Sequence, residues 1–451
     1  MLPYGCAMRR LFSIAVLLAP VLAACAVALD GEQLSLCRRA IPALHPDATE
    51  IRELRAAPAT LGRQGVRIEY LAREPGGTAR ARAVTCGFGG ATFDANRFDL
   101  VAVETDEGRL GEARLLYLKR FWLADPATAL GAATAGLPEL PARVAYAAQQ
   151  LVSALAPCAI YALLATAYSL IYGLVGRINL AFGQIAVIGA FGAVGALTLA
   201  VVLGIAHPLV ALAVALAFAA GLAALWSAVV GRVVVAPLHA RHRLGQPILV
   251  ATAAVAITLE ETLRLSQGAR DRWMPALFNQ PFPLAVSGPF VVTVTPMQLG
   301  TAAVALAAAA GVLVVLGRSR FGRHWRAFAD DPQAAALVGV APGRLLAATF
   351  VLAGLMAGLA GWIVAVYYGN VGFAMGTVLG LKALVAAVVG GIGSVPGAFL
   401  GGLLVGLVET LWSAYFDIAM REVVVYSILI AVFVLRPGGL LGFSGPSPRD
   451  V

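Results

Sequence analysis

The chain has 451 residues, 60% of them hydrophobic and 13% charged. Soluble globular chains average about 25% charged residues, so an ordinary soluble protein is excluded and an integral membrane protein is indicated. The net charge of +9 does not mark a nucleic-acid binder: residues 30–143 carry 15 basic and 15 acidic residues, while residues 177–451 carry 16 and 9. Arg9 and Arg10 complete the count. The excess belongs to the apolar part, where cytoplasmic loops collect Lys and Arg. No basic stripe for nucleic acid is left over.

Residues 8–28, MRRLFSIAVLLAPVLAACAVA, have the charged start, short apolar core and small-residue end of a secretory signal. The apolar core is too short for a good membrane span. Two processing sites stand open, an A-x-A site ending at Ala28 and a lipoprotein-like LAAC ending at Cys25. Met8 is an alternative start.

Residues 29–145 have ordinary charge density and read as a small periplasmic domain containing β-structure. The runs Val66 to Ala72 and Phe98 to Glu104 are strand-like. Each is followed by a turn signal, Glu74-Pro75-Gly76-Gly77 or Asp106-Glu107-Gly108. In an oxidising compartment Cys37 and Cys86 would close a disulfide loop of about 50 residues, with two unpaired core thiols as the alternative. The five cysteines contain no CxxC pair, so thiolate metal binding is unsupported. No cofactor is expected.

From residue 146 to 443 apolar runs follow one another. Spans are predicted near 151–175, 184–206, 208–230, 247–266, 297–317, 345–368, 377–393, 397–416 and 422–436. This is nine, with eight or ten also compatible, because two segments are interrupted. The fold class expected is therefore an all-α polytopic membrane protein in two related halves with broken helices, preceded by the small β-containing domain. The first interruption is Arg177 to Ala190, with Asn179, Gly183 and Gln184; the second is GGIGSVPG, with Gly390, Gly391, Gly393, Ser394 and Gly397. Polar breaks at membrane depth are tolerated only where protein or water surrounds them, and paired interruptions point to a transport pathway. Gly401, Gly402 and Gly406 read instead as sites of close helix approach.

The clusters Arg232, Arg241, Arg243 and Arg318, Arg320, Arg323, Arg326 belong in the cytoplasm. Counting back from either puts the N-terminal domain outside, as the signal requires, and counting forward puts the C-terminus in the cytoplasm. Charges within spans are candidate functional residues: Glu260, Glu261 and Arg264 in the fourth span, Lys382 and Glu409 in the seventh and eighth. Glu261 and Arg264 are spaced to pair on one helix face. A Lys382–Glu409 pair would act as a structural clamp.

The polar segment from Arg318 to Arg344 holds Asp330 and Asp331 before Pro332, a good helix start. The short helix it opens should end at Gly339. Arg326, Ala327, Ala329, Asp331, Ala335 and Gly339 fall on an R-A-x-A-x-D-x-x-x-A-x-x-x-G pattern. This pattern, INLAFGQ, GGIGSVPGAFLGGLLVGLVE and the ending Arg436-Pro437-Gly438-Gly439-Leu440-Leu441-Gly442 resemble, in order, the permeases of branched-chain amino acid ABC importers. The resemblance covers roughly residues 148–443 and omits the N-terminal domain, which members of that family commonly lack, although the related urea-type permeases do carry an exported extension.

The resemblance implies a permease subunit in a bacterial inner membrane, not an enzyme. Separate ATPase subunits would dock on the loop 318–344 through Arg326, Ala327, Asp330, Asp331 and Gly339. A second permease subunit, the same or a related chain, would complete the pathway, and a periplasmic solute-binding protein would deliver the solute. The sequence agrees that any ATPase is a partner: no Gly-Lys dipeptide occurs, so there is no phosphate-binding loop. The competing readings are a urea or short-amide permease, an ion-coupled secondary transporter using Glu260, Glu261 and Glu409, and a membrane-anchored receptor.

Overall fold

The computed structural model describes residues 30–46, 49–61, 64–74, 76–90, 96–123, 137–205, 207–241, 246–274, 277–288, 290–436 and 438–441. The signal-like segment, Pro75, Arg243, Pro437 and Gly442 lie outside the described residues. The chain divides into two compact units, Met1–Ala132 with Gly204–Pro208, and Ala133–Leu203 with Leu209–Val451.

In the first unit, helix α1 (Gly31–Ala40) precedes strands β1 (Glu50–Ala59), β2 (Gln64–Arg73), β3 (Arg80–Phe88), β4 (Leu100–Thr105) and β5 (Gly108–Arg109). They form one antiparallel sheet in sequential order. A short helix α2 (Glu112–Tyr117) follows. Strands β2 and β4 stand on the two strand-like runs, and the turn to β5 falls on Asp106-Glu107-Gly108, where Gly108 has φ +115°. Alternation in β2 sends Val66, Ile68, Tyr70 and Ala72 into the core beside Val84, Cys86 and Phe88 of β3. Asp30 caps α1 by accepting from the Glu32 backbone N–H at 3.0 Å. It also forms a buried ion pair with Arg97 at 2.9 Å. The Cys37 and Cys86 sulfurs are bonded, tying α1 to β3 with Cα atoms 5.8 Å apart.

The second unit is helical. Its long helices are α3 (Ala142–Val175), α4 (Phe182–Val202), α5 (Pro208–Val230, continued to Arg241), α6 (Gln246–Gln267), and α7 (Pro296–Arg318). After α8 (Arg320–Asp330) and α9 (Pro332–Leu337) come α10 (Pro342–Ile363, continued to Tyr368), α11 (Met375–Gly390), α12 (Val395–Tyr415) and α13 (Arg421–Leu435). Among the described residues a long helix stands at each of the nine predicted spans. Six, namely α3, α4, α5, α7, α10 and α12, are long and apolar enough to cross a membrane. The other three fall short for visible reasons. Helix α6 carries Glu260, Glu261 and Arg264; α11 and α13 have 16 and 15 residues. At a 1.5 Å rise those two reach only about 22–24 Å.

Helix α3 begins at Ala142, well before the apolar run at Leu151, and packs against α7, α10, α11 and α12. It is the most enclosed of the six helices of membrane length, with 83% of its most apolar stretch buried. The segment between α6 and α7, where no span is predicted, contains the hairpin β7 (Phe282–Ser287) and β8 (Phe290–Val294). Before it, β6 (Arg272–Trp273) pairs with β9 (Asn370–Val371), which follows α10.

Candidate functional site

The connection between α3 and α4 lies slightly earlier than Gly183 and Gln184. Helix α3 ends at Gly176, with φ +67°, and α4 begins at Phe182. Asn179 sits in the break, where its side-chain oxygen accepts from the Ala181 N–H at 3.0 Å, while the Leu180 N–H reaches the Thr252 hydroxyl of α6 at 3.4 Å. Gly183 and Gln184 occupy the first turn of α4, against the start of α11. A Cβ at Gly183 would collide with the Gly376 carbonyl, and one at Gly376 would meet the Gln184 amide at 2.5 Å. Only glycines allow this approach.

The close approach delivers Gln184 to a polar junction. Its amide nitrogen donates to Glu260 Oε2 at 2.7 Å and lies 3.4 Å from the Thr377 hydroxyl. Thr377 donates to the same carboxylate oxygen at 3.0 Å. Three helices thus converge on one carboxylate. The sequence placed Gln184 in a broken helix and Glu260 among scattered charges, without joining them. It missed Thr377, whose one local signal is a hydroxyl inside the apolar run just after Gly376.

The second interruption lies at the far end of α11. That helix stops at Gly390, and Gly391 and Gly393 have φ +106° and +94°. Ser394 caps α12 by accepting from the Gly397 N–H at 3.3 Å. Gly390 and Gly397 sit backbone to backbone across the turn. The tail then returns: the N–H groups of Leu440 and Leu441 donate to the Val389 and Gly390 carbonyls at 2.9 and 3.0 Å. This pairs carbonyls that a helix end leaves open. The two interruptions therefore occupy opposite ends of α11 and do not form one site.

Lys382, Glu409, Glu422 and Arg421 form a cluster across α11, α12 and α13. The Lys382 ammonium lies 2.8 Å from Glu409 Oε1 and 2.7 Å from Glu422 Oε1. Arg421 approaches the same two oxygens at 3.4 and 3.2 Å. Lys382 and Glu409 are 3% and 8% exposed, so the charges are compensated by one another rather than by water. The sequence suggested the pair; the second acid and second base complete it. Glu261 and Arg264 pair at 2.7 Å on an exposed face of α6.

The polar segment folds as a knob. Ser319 caps α8, and Asp331 caps α9 by accepting from the Gln333 and Ala334 N–H groups at 2.8 and 3.0 Å. Gly339, at φ +90°, turns the chain after α9. Trp325 is buried and donates its indole N–H to the Leu170 carbonyl of α3 at 3.3 Å, over Gly173. The Arg326 guanidinium donates to the Leu316 carbonyl at the end of α7. Ala327 and Asp330 are exposed on α8. Leu337 and Val338 are 88% and 79% exposed, an apolar tip on a charged knob.

Six membrane-length helices packed through close glycine contacts fit a polytopic membrane protein. Residues 150–433 match the family described as the permease component of branched-chain amino acid transport systems, and the chain belongs to that family. The high-affinity branched-chain amino acid transport system permease protein LivH of Escherichia coli (strain K12) is 34% identical over 297 residues. The match covers 66% of this chain and 96% of that relative. The corresponding BraD protein of Pseudomonas aeruginosa is 35% identical over 297 residues, 65% of this chain and 95% of the relative. A fructose import permease protein, FrcC of Rhizobium meliloti, is 38% identical over 99 residues, covering 21% and 28%. No solved structure matches.

Proposed function

We propose that this chain is the membrane-spanning permease subunit of an ATP-driven ABC importer for branched-chain amino acids. The observation that carries the substrate class is the match across nearly the full length of LivH and BraD. In this reading the chain lies in a bacterial inner membrane with residues 29–145 exported, its signal removed and its C-terminus cytoplasmic. The arginines around α7 and α8 then face the cytoplasm.

Two permease subunits form the pathway, and a periplasmic binding protein delivers the solute. ATPase subunits engage the knob 318–344. Support comes from its build: Trp325 and Arg326 root it in α3 and α7, while Leu337 and Val338 leave an apolar tip for a partner surface. A rigid attachment of this kind transmits a push or pull to the transmembrane helices.

The test is uptake of labelled leucine and labelled urea in cells deleted for the gene and then complemented. Loss and recovery of leucine uptake is expected; loss and recovery of urea uptake alone would refute the amino-acid assignment. Replacing Asp331 and Gly339 together should abolish ATP-coupled uptake while the protein stays in the membrane. Unchanged uptake would refute the coupling role of the knob.

A further inference from the structure

Glu260 stands apart from the other carboxylates in the long helices of the second unit. Glu261 is neutralised by Arg264, and Glu409 and Glu422 share Lys382 and Arg421. Among the described residues, no cation lies within ion-pair distance of Glu260. It is held instead by two neutral donors from two other helices, Gln184 and Thr377, both on Oε2. In the permease reading α6 lies within the membrane bundle, where a carboxylate is costly unless something positive meets it.

A second observation points to a ligand. Gln184 is 1% exposed, and its side-chain oxygen has no hydrogen-bond partner among the described residues. The buried Tyr168 hydroxyl likewise has none, and lies 3.3 Å from where a Cβ on Gly380 would stand, one turn along α11 from Gly376. Buried polar atoms are rarely left unpaired without a purpose. Next to this junction is an apolar cavity of about 330 Å³ between α4, α5 and α6. Its lining includes Ile188, one turn beyond Gln184, and Leu259 and Leu263, which bracket Glu260.

We propose that Glu260, with Gln184 and Thr377, recognises the primary ammonium group of an aliphatic amino acid as it passes. The inference rests on the amino-acid importer reading above. An ammonium carries three donors and no acceptor. The Glu260 carboxylate supplies charge-assisted acceptance, the Gln184 oxygen a second acceptor, and the neighbouring cavity a place for the aliphatic side chain. Thr377 is a positioning residue that fixes the carboxylate.

The experiment measures labelled leucine uptake in deleted cells complemented with the wild-type chain, Glu260→Gln, Glu260→Asp or Glu261→Gln. Membrane levels are read by immunoblot and folding by thermal melting of the purified proteins. Glu260→Gln should cut the maximal uptake rate about ten- to a hundred-fold, the range for loss of one charge-assisted hydrogen bond. Glu260→Asp, which keeps the charge, should recover part of it, and Glu261→Gln should match the wild type. Wild-type uptake by a folded Glu260→Gln protein would overturn the assignment. So would equal loss in Glu260→Gln and Glu260→Asp with lowered melting temperatures, which marks a structural role. A wild-type chain that restores urea uptake and no leucine uptake defeats the importer reading before any variant is compared; the ammonium site falls with it, because urea carries no cation.

Discussion

Removing the Lys382 ammonium tests how the charge cluster of α11, α12 and α13 is balanced. Lys382 and Arg421 offset Glu409 and Glu422, so the four side chains are neutral together. In Lys382→Met the sum becomes one negative charge, and Glu409, with a side chain 10% exposed, is left with Arg421 at 3.4 Å. Breaking a buried pair from one side costs about 3–5 kcal/mol. The Glu422 contribution is smaller, since that side chain is 41% exposed and such pairs are worth about 0–1 kcal/mol.

The double variant Lys382→Met with Glu409→Leu leaves Arg421 with Glu422, again neutral, and fills the same space with apolar atoms. Replacing a whole buried pair this way is often neutral or stabilising. The double variant should therefore be more stable than Lys382→Met alone. Thermal and denaturant unfolding of the purified chain in detergent, followed by circular dichroism, measures both. A Lys382→Met protein that unfolds like the wild type, or a double variant whose loss is the sum of its parts, would refute the reasoning.

Three further outcomes follow from other contacts. Gly406→Leu should cost at least the about 1–3 kcal/mol of an overpacked core, because a Cβ there stands 2.7 Å from the Cys158 backbone; Gly195→Leu, with nothing within 4 Å, is the control, and folded yield in detergent distinguishes them. Cys37→Ser should destabilise the first unit by about 2–5 kcal/mol, read as a lower-temperature transition in the melt of the full chain. His45, hydrogen-bonded to the Tyr70 hydroxyl at 2.8 Å, has its pKa lowered by burial and then by Arg82. Its folded state thus prefers the neutral ring. The contribution is complete above the ordinary value of about 6.5 and is lost as pH falls below it. His45→Gln should flatten the fall in melting temperature between neutral and mildly acidic pH, and an unchanged pH profile would count against that role.

The sequence alone determined the parts that depend on neighbours along the chain. Hydropathy located the long helices, because each must offer lipid or protein an apolar surface over its own length. The Asp331 cap and the Gly339 turn were legible because both are set within a few residues. Strands β2 and β4 showed their alternation, whereas β1, Glu50–Ala59, buries no residue fully and gave no such signal. Pairing over distance was another matter. Gln184 meets Glu260 across 76 positions, and Thr377 meets Glu260 across 117. The tail folds back on the end of α11, and Lys382 gains a second acid and Arg421 from α13. These contacts were decided by how closely glycine-lined helices pack, as Gly183 on Gly376 and Gly390 on Gly397, and that distance is a property of two surfaces together, which neither segment encodes by itself.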